Sequence, residues 1–461
     1  MSLEDRLYPL LRLYGRSPRW VRTLSGRVYR QLPERVRFGS HYADFLRVAA
    51  ALEDAQPDQV EAYRMTRLKE TLDHAARHCP YYRDVFARHG FDPRRVQNAD
   101  DLQSCPMLEK ADLQANRDRM VSEAIAPGER LYITTGGSTG VPVGFYLQKG
   151  ISRPKEQAFL ETLWARAGYT RAARLVVIRG HVISNADDGR IDDYDATRDW
   201  LMLSSYHLTA QRAEEYLAHI ERFRPDFLHA YPSAVMQLAQ WVGSRGRQWQ
   251  VPLKGILCGS EWMSLEQKTR VEQAFGCRVY RWYGHSERVV LAGEGRKSPN
   301  FYFFPTYGFV EFGPPDEEGL QEVIGTTFDN FAMPLIRYRT GDFVRLTREN
   351  LEFPWPAASQ IAGRGQEFLV TRTGRRISLT AFNMHDSIFD HFAAVQFHQS
   401  EPGCAQFRFI PNARYDASRL DVLRQRMAAK LGEDFQLEFV RAAELEKTSR
   451  GKHRWLISKL I

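Results

Sequence analysis

Residues 255–283 have the sequence GILCGSEWMSLEQKTRVEQAFGCRVYRWY, and this stretch decides the fold class. The apolar segment Gly255–Cys258 predicts a buried strand, and Arg278–Tyr283 predicts another. Between them, Ser264–Gln267 has the pattern of a capping box, which predicts the start of a helix that continues to Phe275. A strand, a helix and a further strand in succession indicate an α/β sheet.

The same alternation extends upstream to about residue 150, and helices precede it. It predicts a helix over 152–166, a strand over 174–178, a helix over 209–223 with Thr209 as N-cap, a strand over 226–231 and a helix from Pro232. Residues 57–125 have the helical spacing of apolar side chains. A shift in composition between Pro356 and Glu367 predicts a domain boundary. We therefore predict an arm over 1–60, a large α/β domain over 61–362 and a small α+β domain over 363–461.

The overall composition is that of an ordinary soluble globular protein with more than one structural unit. The chain has 461 residues, of which 43% are hydrophobic and 26% are charged. Its five widely spaced cysteines contain no CxxC pair, so they predict neither a disulfide framework nor a zinc site. The sequence shows no pattern of a signal peptide or of a membrane span. These features predict a cytoplasmic protein.

Positive charge is concentrated at the start of the chain. The first forty residues carry nine arginines against Glu4, Asp5 and Glu34, and apolar residues such as Trp20 and Val21 are interleaved with them. We favour a helical arm packed on the body of the protein. Peripheral contact with an anionic membrane, at the inner face of the cytoplasmic membrane, is a second interpretation. We predict no nucleic-acid partner, because no recognition motif accompanies the charge.

A glycine-rich stretch over 132–142, YITTGGSTGVP, has the composition of a loop that binds phosphate. Its glycines allow backbone N–H groups to approach an anion closely, and its hydroxyls add further donors. The loop lacks the lysine of a P-loop, so the P-loop NTPase mechanism does not apply. Taken alone, the stretch is equally well explained as a surface turn.

Three further motifs contain charged side chains suited to binding a nucleotide. Glu287 lies in Tyr-Gly-His-Ser-Glu after a predicted strand, where a carboxylate can hold Mg²⁺ against phosphates. Asp342 follows an apolar strand at a predicted tight turn, where its carboxylate can accept the hydroxyls of a ribose. Lys452 lies in a basic, glycine-containing tail and can compensate charge on a phosphoryl group. Each motif by itself is more often structural.

The order and spacing of these four motifs resemble the adenylate-forming ligase superfamily, which includes acyl and aryl coenzyme A ligases and peptide-synthetase adenylation domains. The resemblance runs from about residue 65 to the C-terminus and is closest to the phenylacetate coenzyme A ligase-like branch. Tyr-Gly-His-Ser-Glu over 283–287, His229-Ala-Tyr-Pro-Ser233 and the stretch 363–369 are similar to members associated with capsular polysaccharide biosynthesis. The resemblance implies a large N-terminal adenylate-forming domain with α/β layers and a small mobile C-terminal domain.

The resemblance also implies a role for each matching position. The nucleotide-binding residues would be Thr135, Gly136, Gly137, Ser138, Thr139, Gly140, Glu261, Tyr283, Gly284, His285, Ser286, Asp342 and Arg364. Glu287 would hold Mg²⁺, and the catalytic residues would be Lys452, Glu287 and Thr139. Many relatives have aspartate after the Gly-Arg turn at the hinge, where this chain has Gln366 and Glu367, so the pivot of the hinge is not assigned.

The implied reaction is activation of a carboxylate by ATP, with release of pyrophosphate and transfer of the acyl group to coenzyme A, an amine or a hydroxyl. The substrate would be a small-molecule or saccharide carboxylate, and residues near the predicted strand ends are candidates to bind it, namely Arg179, His207, Tyr231 and Ser233. Two alternatives stay open. One is an adenylyltransferase that leaves AMP on its acceptor, and the other is a non-catalytic nucleotide-binding scaffold.

Overall fold

The structure is a computed structural model of the chain. It describes residues 17–135, 143–180, 183, 190–244, 249–317, 319–349, 351–362, 368–379, 388, 391–412, 414–446 and 455–460. Several predicted site residues lie outside these ranges, namely Gly136, Gly137, Ser138, Thr139, Gly140, Arg364 and Lys452. No helix in the described ranges is both long enough and apolar enough to cross a membrane.

Helices form most of the first 165 residues and then alternate with strands. Their bounds are α1 Arg19–Gln31, α2 Glu34–Phe38, α3 Ser40–Ala51, α4 Pro57–His78, α5 Pro80–His89, α6 Lys110–Met120, α7 Ser152–Ala165, α8 Ala213–Phe223, α9 Pro232–Ser244, α10 Leu265–Phe275 and α11 Ala417–Leu431. Short 3₁₀ helices include Ser205–His207 and Ala210–Arg212.

The strands begin late in the chain and become frequent after residue 170. Their bounds are β1 Arg130–Thr135, β2 Val143–Gln148, β3 Leu175–Arg179, β4 Asp192–Asp195, β5 Trp200–Ser204, β6 Phe227–Ala230, β7 Gly255–Cys258, β8 Val279–Gly284, β9 Leu291–Glu294, β10 Phe301–Phe303, β11 Gly308–Phe312, β12 Gln321–Thr327, β13 Tyr338–Thr347, β14 Ala357–Ala362, β15 Phe368–Val370, β16 Arg376–Ser378, β17 Phe392–Glu401, β18 Cys404–Pro411, β19 Gln436–Arg441 and β20 Leu456–Ser458.

The chain folds into two compact units, each built from three separate stretches. The first unit consists of Met1–Tyr132, Phe145–Ala172 and Tyr280–Gly363. It contains α1 to α7 together with an antiparallel sheet whose strand order is β11-β12-β13-β14-β10-β9-β8. In this unit α3 packs against α7, where the hydroxyl of Tyr42 donates a hydrogen bond of 2.6 Å to Glu161.

The second unit consists of Ile133–Gly144, Ala173–Val279 and Arg364–Ile461. Its first sheet has the strand order β7-β6-β3-β5-β4, in which all neighbours are parallel except β4 and β5. The strands pack with α8, α9 and α10 around a core of buried apolar side chains, among them Val176, Ile178, Leu228, Ile256, Tyr216, Leu238 and Val271. This confirms the α/β sheet that the sequence predicts.

The end of the chain combines a sheet with a helix. Strands β19-β18-β17-β20 form a four-stranded sheet of mixed direction, and α11 packs on it through buried apolar residues such as Leu423 and Met427. The predicted α+β character of this segment is therefore confirmed. The division into an arm, a large domain and a small C-terminal domain stays a prediction.

The predicted elements agree closely with the structure, except at the start of one helix and at one predicted turn. The capping box is present, because the hydroxyl of Ser264 accepts the N–H of Gln267 at 3.1 Å and the Gln267 side chain accepts the N–H of Ser264. The N-cap predicted at Thr209 is wrong. A 3₁₀ turn follows Thr209, and α8 begins at Ala213, because the N–H of Arg212 bonds to the Thr209 carbonyl at i−3 instead of starting an α-helical turn.

The tight turn predicted at Asp342 is also corrected. Asp342 lies inside β13, where the pairing with β12 is irregular between Glu322 and Ile324. Gly341 has a φ of 71°, a conformation that suits glycine, and its N–H donates to Glu322 Oε1 at 3.2 Å. The strand therefore bends locally and then continues, because this hydrogen bond satisfies the backbone at the irregular position.

Candidate active site

The candidate substrate residues of the second unit lie at the carboxyl ends of its parallel strands. Arg179 is the last residue of β3, Tyr231 directly follows β6, and Ser260 and Glu261 follow β7. Since β3, β6 and β7 are neighbours in this sheet, their ends lie at one edge. Ligand sites of α/β sheets are found at such an edge.

Arg179 connects all three strand ends. Its guanidinium is 2.7 Å from Nε2 of His229 and 2.5 Å from Oγ of Ser260, and it lies over the ring of Tyr231, with 4.8 Å between Cζ and the ring centroid. Burial, followed by the charges of Arg179 and Arg198, holds the pKa of His229 well below its usual value. The imidazole is therefore neutral, and we assign its proton to Nδ1 because Nε2 accepts the Arg179 hydrogen bond.

Glu261 lies at the N-terminus of α9. Its Oε2 accepts the backbone N–H of Ser233, the second residue of that helix, at 2.9 Å. A carboxylate at a helix N-terminus is favourable because it satisfies a free N–H group and interacts with the helix dipole. The structure thus brings Glu261 and Ser233 together, and the placement of Glu261 beside an adenine stays a prediction.

His207 lies in the 3₁₀ helix after β5. Its Nδ1 is 2.9 Å from Oγ of Ser204, the last residue of β5. Burial lowers the pKa of His207, and the charges of Arg375 and Arg212 lower it further. A neutral ring at this position can exchange hydrogen bonds with a ligand without introducing charge.

A cavity of about 650 Å³ opens beside these strand ends. Polar groups in its lining include Ser205, Tyr231, Ser233, Gln237 and Glu261, and apolar groups include Leu208, Met236 and Val271. Three residues that the sequence nominates for ligand binding, Tyr231, Ser233 and Glu261, therefore line the same cavity. A cavity of this size and mixed polarity is typical of small-molecule sites.

In the first unit, Glu287 is a buried carboxylate surrounded by donors. Its Oε1 accepts the hydroxyl of Tyr338 at 3.0 Å, and its Oε2 is 3.6 Å from Nδ1 of His285. Burial alone would raise the pKa of Glu287, but His285, Lys110, its own backbone N–H and the Tyr338 hydroxyl together hold the pKa below its usual value. Glu287 is therefore ionised at neutral pH although it is buried.

Asp342 and Tyr283 form a second polar pair in this unit. The hydroxyl of Tyr283 donates a hydrogen bond of 2.9 Å to Oδ2 of Asp342. Burial and the adjacent Asp342 charge raise the pKa of Tyr283 far above its usual value, so the phenol keeps its proton. The Tyr283 ring also lies near His285, at a centroid distance of 6.0 Å. Residues 283, 285, 287 and 342 are thus close neighbours.

Three other residues that are predicted to bind the nucleotide, Gly284, Ser286 and Thr135, lie at or just after the ends of strands. Gly284 is the exposed last residue of β8, and Ser286 is half-buried between His285 and Glu287. Thr135 is the last residue of β1, and β2 begins at Val143, so the predicted phosphate loop falls between the two strands, outside the described residues.

The carboxylates of the candidate nucleotide site suit a metal ion whose other ligands come mainly from a nucleotide. No group of three or more His, Cys, Asp or Glu side chains among the described residues could enclose a metal ion. Mg²⁺ usually needs only one or two carboxylates in addition to phosphate oxygens and water. The buried, ionised carboxylate of Glu287 fits that requirement, because it is an oxygen ligand with a full charge.

Several residues that support the site were not predicted from the sequence. Tyr338 holds Glu287, Ser260 and His229 hold Arg179, and Lys110 favours the charged form of Glu287. Tyr338 belongs to the same motif as Asp342, and His229 begins the motif that includes Tyr231. Their presence in those motifs was the available indication, but their partners lie about fifty or more residues away in the sequence.

The chain is similar in sequence to several known proteins. The chain is 21% identical to Protein CapK of Staphylococcus aureus over 457 residues. This alignment covers 97% of this chain and 99% of that protein. It is 26% identical over 341 residues to a phenylacetate-coenzyme A ligase of Pseudomonas putida, covering 70% of this chain and 74% of that enzyme. The chain is a relative of the adenylate-forming, phenylacetate-coenzyme A ligase-like enzymes. The resemblance inferred from the motifs is thereby confirmed, and with it the prediction of an AMP-forming, ligase-like enzyme.

Solved structures of adenylate-forming enzymes have the same fold. The structure of 2-hydroxyisobutyryl-CoA ligase with 2-HIB-AMP and CoA in its thioesterification state matches with a TM-score of 0.55 and 17% identity, covering 88% of this chain and 91% of that chain. The same ligase in its postadenylation state matches with a TM-score of 0.53. The predicted fold class, that of an adenylate-forming enzyme, is therefore confirmed. No protein-family model matches the chain.

Proposed function

We propose that this chain is an ATP-dependent ligase that activates a carboxylate as an acyl adenylate, releases pyrophosphate and transfers the acyl group to coenzyme A, an amine or a hydroxyl. The observation that carries the proposal is Glu287, a buried carboxylate held ionised beside Tyr338 and His285. Keeping a charge at a buried position is unfavourable unless it is compensated, and a nucleotide-bound cation would complete the compensation.

Glu287 would hold Mg²⁺, which when bound neutralises part of the phosphate charge. Lys452 and the loop Thr135–Gly140 would supply further positive charge and N–H donors to the phosphates, with Thr139 among the catalytic residues. Arg364 would lie beside the nucleotide. A substrate carboxylate is already ionised at neutral pH, so its attack on the α-phosphorus of ATP needs no general base. The enzyme therefore acts mainly by positioning its substrates and compensating charge.

The pair formed by Tyr283 and Asp342 would orient the nucleoside. The Asp342 carboxylate is a suitable acceptor for the vicinal hydroxyls of a ribose, and the Tyr283 hydroxyl fixes its orientation. As the resemblance implies, Tyr283 and Glu261 are the residues that would contact the adenine. Gly284, His285 and Ser286 connect this pair to Glu287 along the chain.

The cavity of the second unit is our candidate for the acyl pocket. Arg179 would attract a second anionic or strongly polar group on the substrate, and the neutral His207 would exchange hydrogen bonds with the substrate or acceptor. Tyr231 and Ser233 line the cavity and would contact the acyl group. The polar lining supports a hydroxylated substrate, and we propose saccharide carboxylates of capsular or exopolysaccharide biosynthesis as the first class to test.

The test is pyrophosphate release by the purified chain with ATP, Mg²⁺ and a panel of sugar uronates, amino acids and aromatic acids, with and without coenzyme A. Glu287→Gln and Lys452→Ala should each lower the rate roughly a hundredfold or more, because each removes a charge from the transition state. The matched controls are Glu266→Gln and Lys459→Ala, which change exposed residues and should leave the rate unchanged.

Product analysis separates this proposal from the alternatives. Free AMP together with a new thioester, amide or ester supports acyl transfer, whereas AMP attached to the acceptor shows adenylyl transfer. If no carboxylate releases pyrophosphate and Lys452→Ala changes nothing, the chain is a nucleotide-binding scaffold. Within the panel, Arg179→Ala should weaken binding of dianionic carboxylates more than monoanionic ones, and equal affinities would show that Arg179 does not bind the substrate.

A further inference from the structure

Helix α1 turns its apolar stripe toward solvent. Trp20, Leu24 and Val28 recur every four residues, so they lie on one face of the helix. Their side chains are strongly exposed, with relative accessibilities of 70%, 59% and 59%. Val36 of α2 is also exposed. Such a cluster of large apolar side chains on a surface usually marks an interaction site.

The side of α1 that faces the protein is mostly polar or small, and Val21 is half-buried there. Gly26 is buried, and Arg22 and Tyr29 are half-buried, with the Tyr29 hydroxyl donating to the carbonyl of Arg37 at 3.3 Å. A surface helix of a soluble protein normally buries its apolar stripe and exposes its polar face. In α1 this arrangement is reversed, so packing against the protein does not explain the apolar stripe.

The surroundings of the stripe are strongly basic. Residues 19–38 contain six arginines and one acidic residue, Glu34, which forms an ion pair with Arg171. The side chains of Arg27, Arg30 and Arg35 are exposed. An exposed apolar stripe bordered by arginines is the pattern of a helix that lies in the interface of an anionic membrane.

We propose that α1 and α2 dock the protein on an anionic bilayer surface, with Trp20, Leu24 and Val28 in the boundary between headgroups and acyl chains. Arg27 and Arg30 would contact the lipid phosphates. Tryptophan favours this depth because its ring is apolar and its N–H is polar. The inference concerns attachment and is independent of the reaction proposed for the active site.

The charge of the α1 surface favours a membrane over two other partners that could bind there, a second copy of the chain and a nucleic acid. Two copies of the chain that met through α1 would place their arginines against each other, which is unfavourable. A nucleic acid would satisfy the arginines but would leave the apolar stripe unused, because its binding energy comes mainly from phosphate contacts. An anionic bilayer satisfies both features.

Helices α1 and α2 are attached to the rest of their unit by buried aromatic side chains at the end of α2 and in α3. Phe38 and Tyr42 are buried, and both rings lie against the guanidinium of Arg171, at 5.1 and 4.4 Å from its Cζ. Arg171 also pairs with Glu161 of α7 at 2.7 Å. A membrane contact made by α1 would therefore hold the folded protein at the surface.

Vesicle sedimentation tests the proposal with the full chain. Vesicles of phosphatidylcholine alone are compared with vesicles that also contain an equal part of phosphatidylglycerol. We expect binding to the anionic vesicles, weaker at high salt. Two variants, Trp20→Ser/Leu24→Ser/Val28→Ser and Arg27→Gln/Arg30→Gln, should each weaken it by about tenfold or more.

Two matched controls change equally exposed residues elsewhere. Leu265→Ser removes an exposed apolar side chain from α10, and Arg94→Gln/Arg95→Gln removes two exposed arginines. Both should bind like the parent, and all variants should unfold at the parent temperature because the substituted side chains are exposed.

Several outcomes overturn the proposal. Equal binding to both kinds of vesicle, absence of binding, or parent-like binding by both α1 variants would each do so. A dimer in light scattering that the triple variant loses, without vesicle binding, assigns the stripe to a second copy of the chain. Binding to a DNA duplex without vesicle binding assigns the arginines to nucleic acid.

Discussion

The surroundings of two buried side chains, Glu287 and His229, shift their pKa values and fix their protonation states. Glu287 remains ionised in a buried position because Tyr338 and His285 lie beside it, although burial by itself would raise its pKa. His229 is the opposite case, since burial and the charge of Arg179 lower its pKa and keep it neutral. Both states allow the side chains to bind a charged partner at neutral pH.

The neutral His229 predicts a dependence of stability on pH. In the unfolded chain the ring titrates near its usual value of 6.5, whereas in the folded chain it stays neutral far below that value. As pH falls below about 6.5, the unfolded state binds the additional proton, so the free energy of unfolding falls, by up to about 1.4 kcal/mol per pH unit for this group.

The measurement is the denaturant midpoint between about pH 7 and pH 5.5. His229→Gln should flatten the decline, because glutamine can still accept the Arg179 hydrogen bond but does not titrate. His89→Gln, at an exposed position, is the control and should follow the parent. Identical slopes for the parent and His229→Gln would show that His229 is not neutral in the folded protein.

At the scale of elements, one irregularity in a strand decides the geometry of the candidate nucleotide site. On β13, Arg339 pairs with Ile324 and Phe343 pairs with Glu322 of β12, so residues 340–342 lie opposite Val323 alone. Extra residues in one strand bend it and change the direction of the local side chains. This bulge lies where the hydroxyl of Tyr283 reaches the carboxylate of residue 342.

A buried ion network joins three elements of the first unit. Asp329, in the turn after β12, is paired with Lys155 of α7 at 2.9 Å and with Arg67 of α4. Lys155 also donates to the carbonyl of Phe328 at 2.9 Å. Burial lowers the pKa of Lys155, while the Asp329 charge opposes that effect. Asp329 therefore compensates the buried Lys155, and it shares the half-buried Arg67 with Glu70.

Asp329→Asn should lower the free energy of unfolding by about 3–5 kcal/mol, because the buried Lys155 loses its ion-pair partner and Arg67 keeps only its pair with Glu70. Asparagine tolerates the φ of 64° at this position, so the substitution tests the charge and not the backbone. Asp73→Asn is the matched control, since Asp73 pairs with Arg77 at the surface, and should cost about 1 kcal/mol or less. Similar denaturation midpoints for the two variants would contradict the role of the network.

At the scale of the whole molecule, the basic segment has two parts with different relations to the body. Helix α1 buries little apolar surface, whereas the segment from α2 to Glu53 is packed on α7. Tyr42 donates to Glu161, and the buried Glu53 pairs with Arg166 at 2.7 Å. The favoured interpretation of a packed arm therefore holds for the second part of the segment, while the stripe of α1 remains available for a partner.

Two truncations test this division. A chain that begins at Pro33 should unfold within about 1 °C of the parent, because it loses few buried contacts. A chain that begins at Asp54 should lose about 3 kcal/mol or more, since Arg166 keeps its charge in the core without Glu53. Thermal unfolding followed by circular dichroism measures both. A large loss in the first truncation would mean that α1 belongs to the packed core.

The sequence predicted much of the fold because the relevant patterns are local. A strand such as Gly255–Cys258, the Ser264 capping box and the helix that begins at Pro232 depend on side chains within a few residues of each other. The candidate site was predictable as a set of motifs, and Tyr283 and Asp342 do meet. The N-cap at Thr209 failed because 3₁₀ and α-helical starts have similar local sequences.

The sequence alone determined the α/β class, the order of the elements and the resemblance to adenylate-forming ligases. Tertiary structure decided the rest. The contacts of Tyr338 with Glu287, of Arg179 with the neutral His229 and of Tyr283 with Asp342 join residues about fifty or more positions apart. The outward stripe of α1 likewise depends on which face the body covers. The physical reason is that hydrogen bonding and burial depend on neighbours in space, which local patterns do not specify.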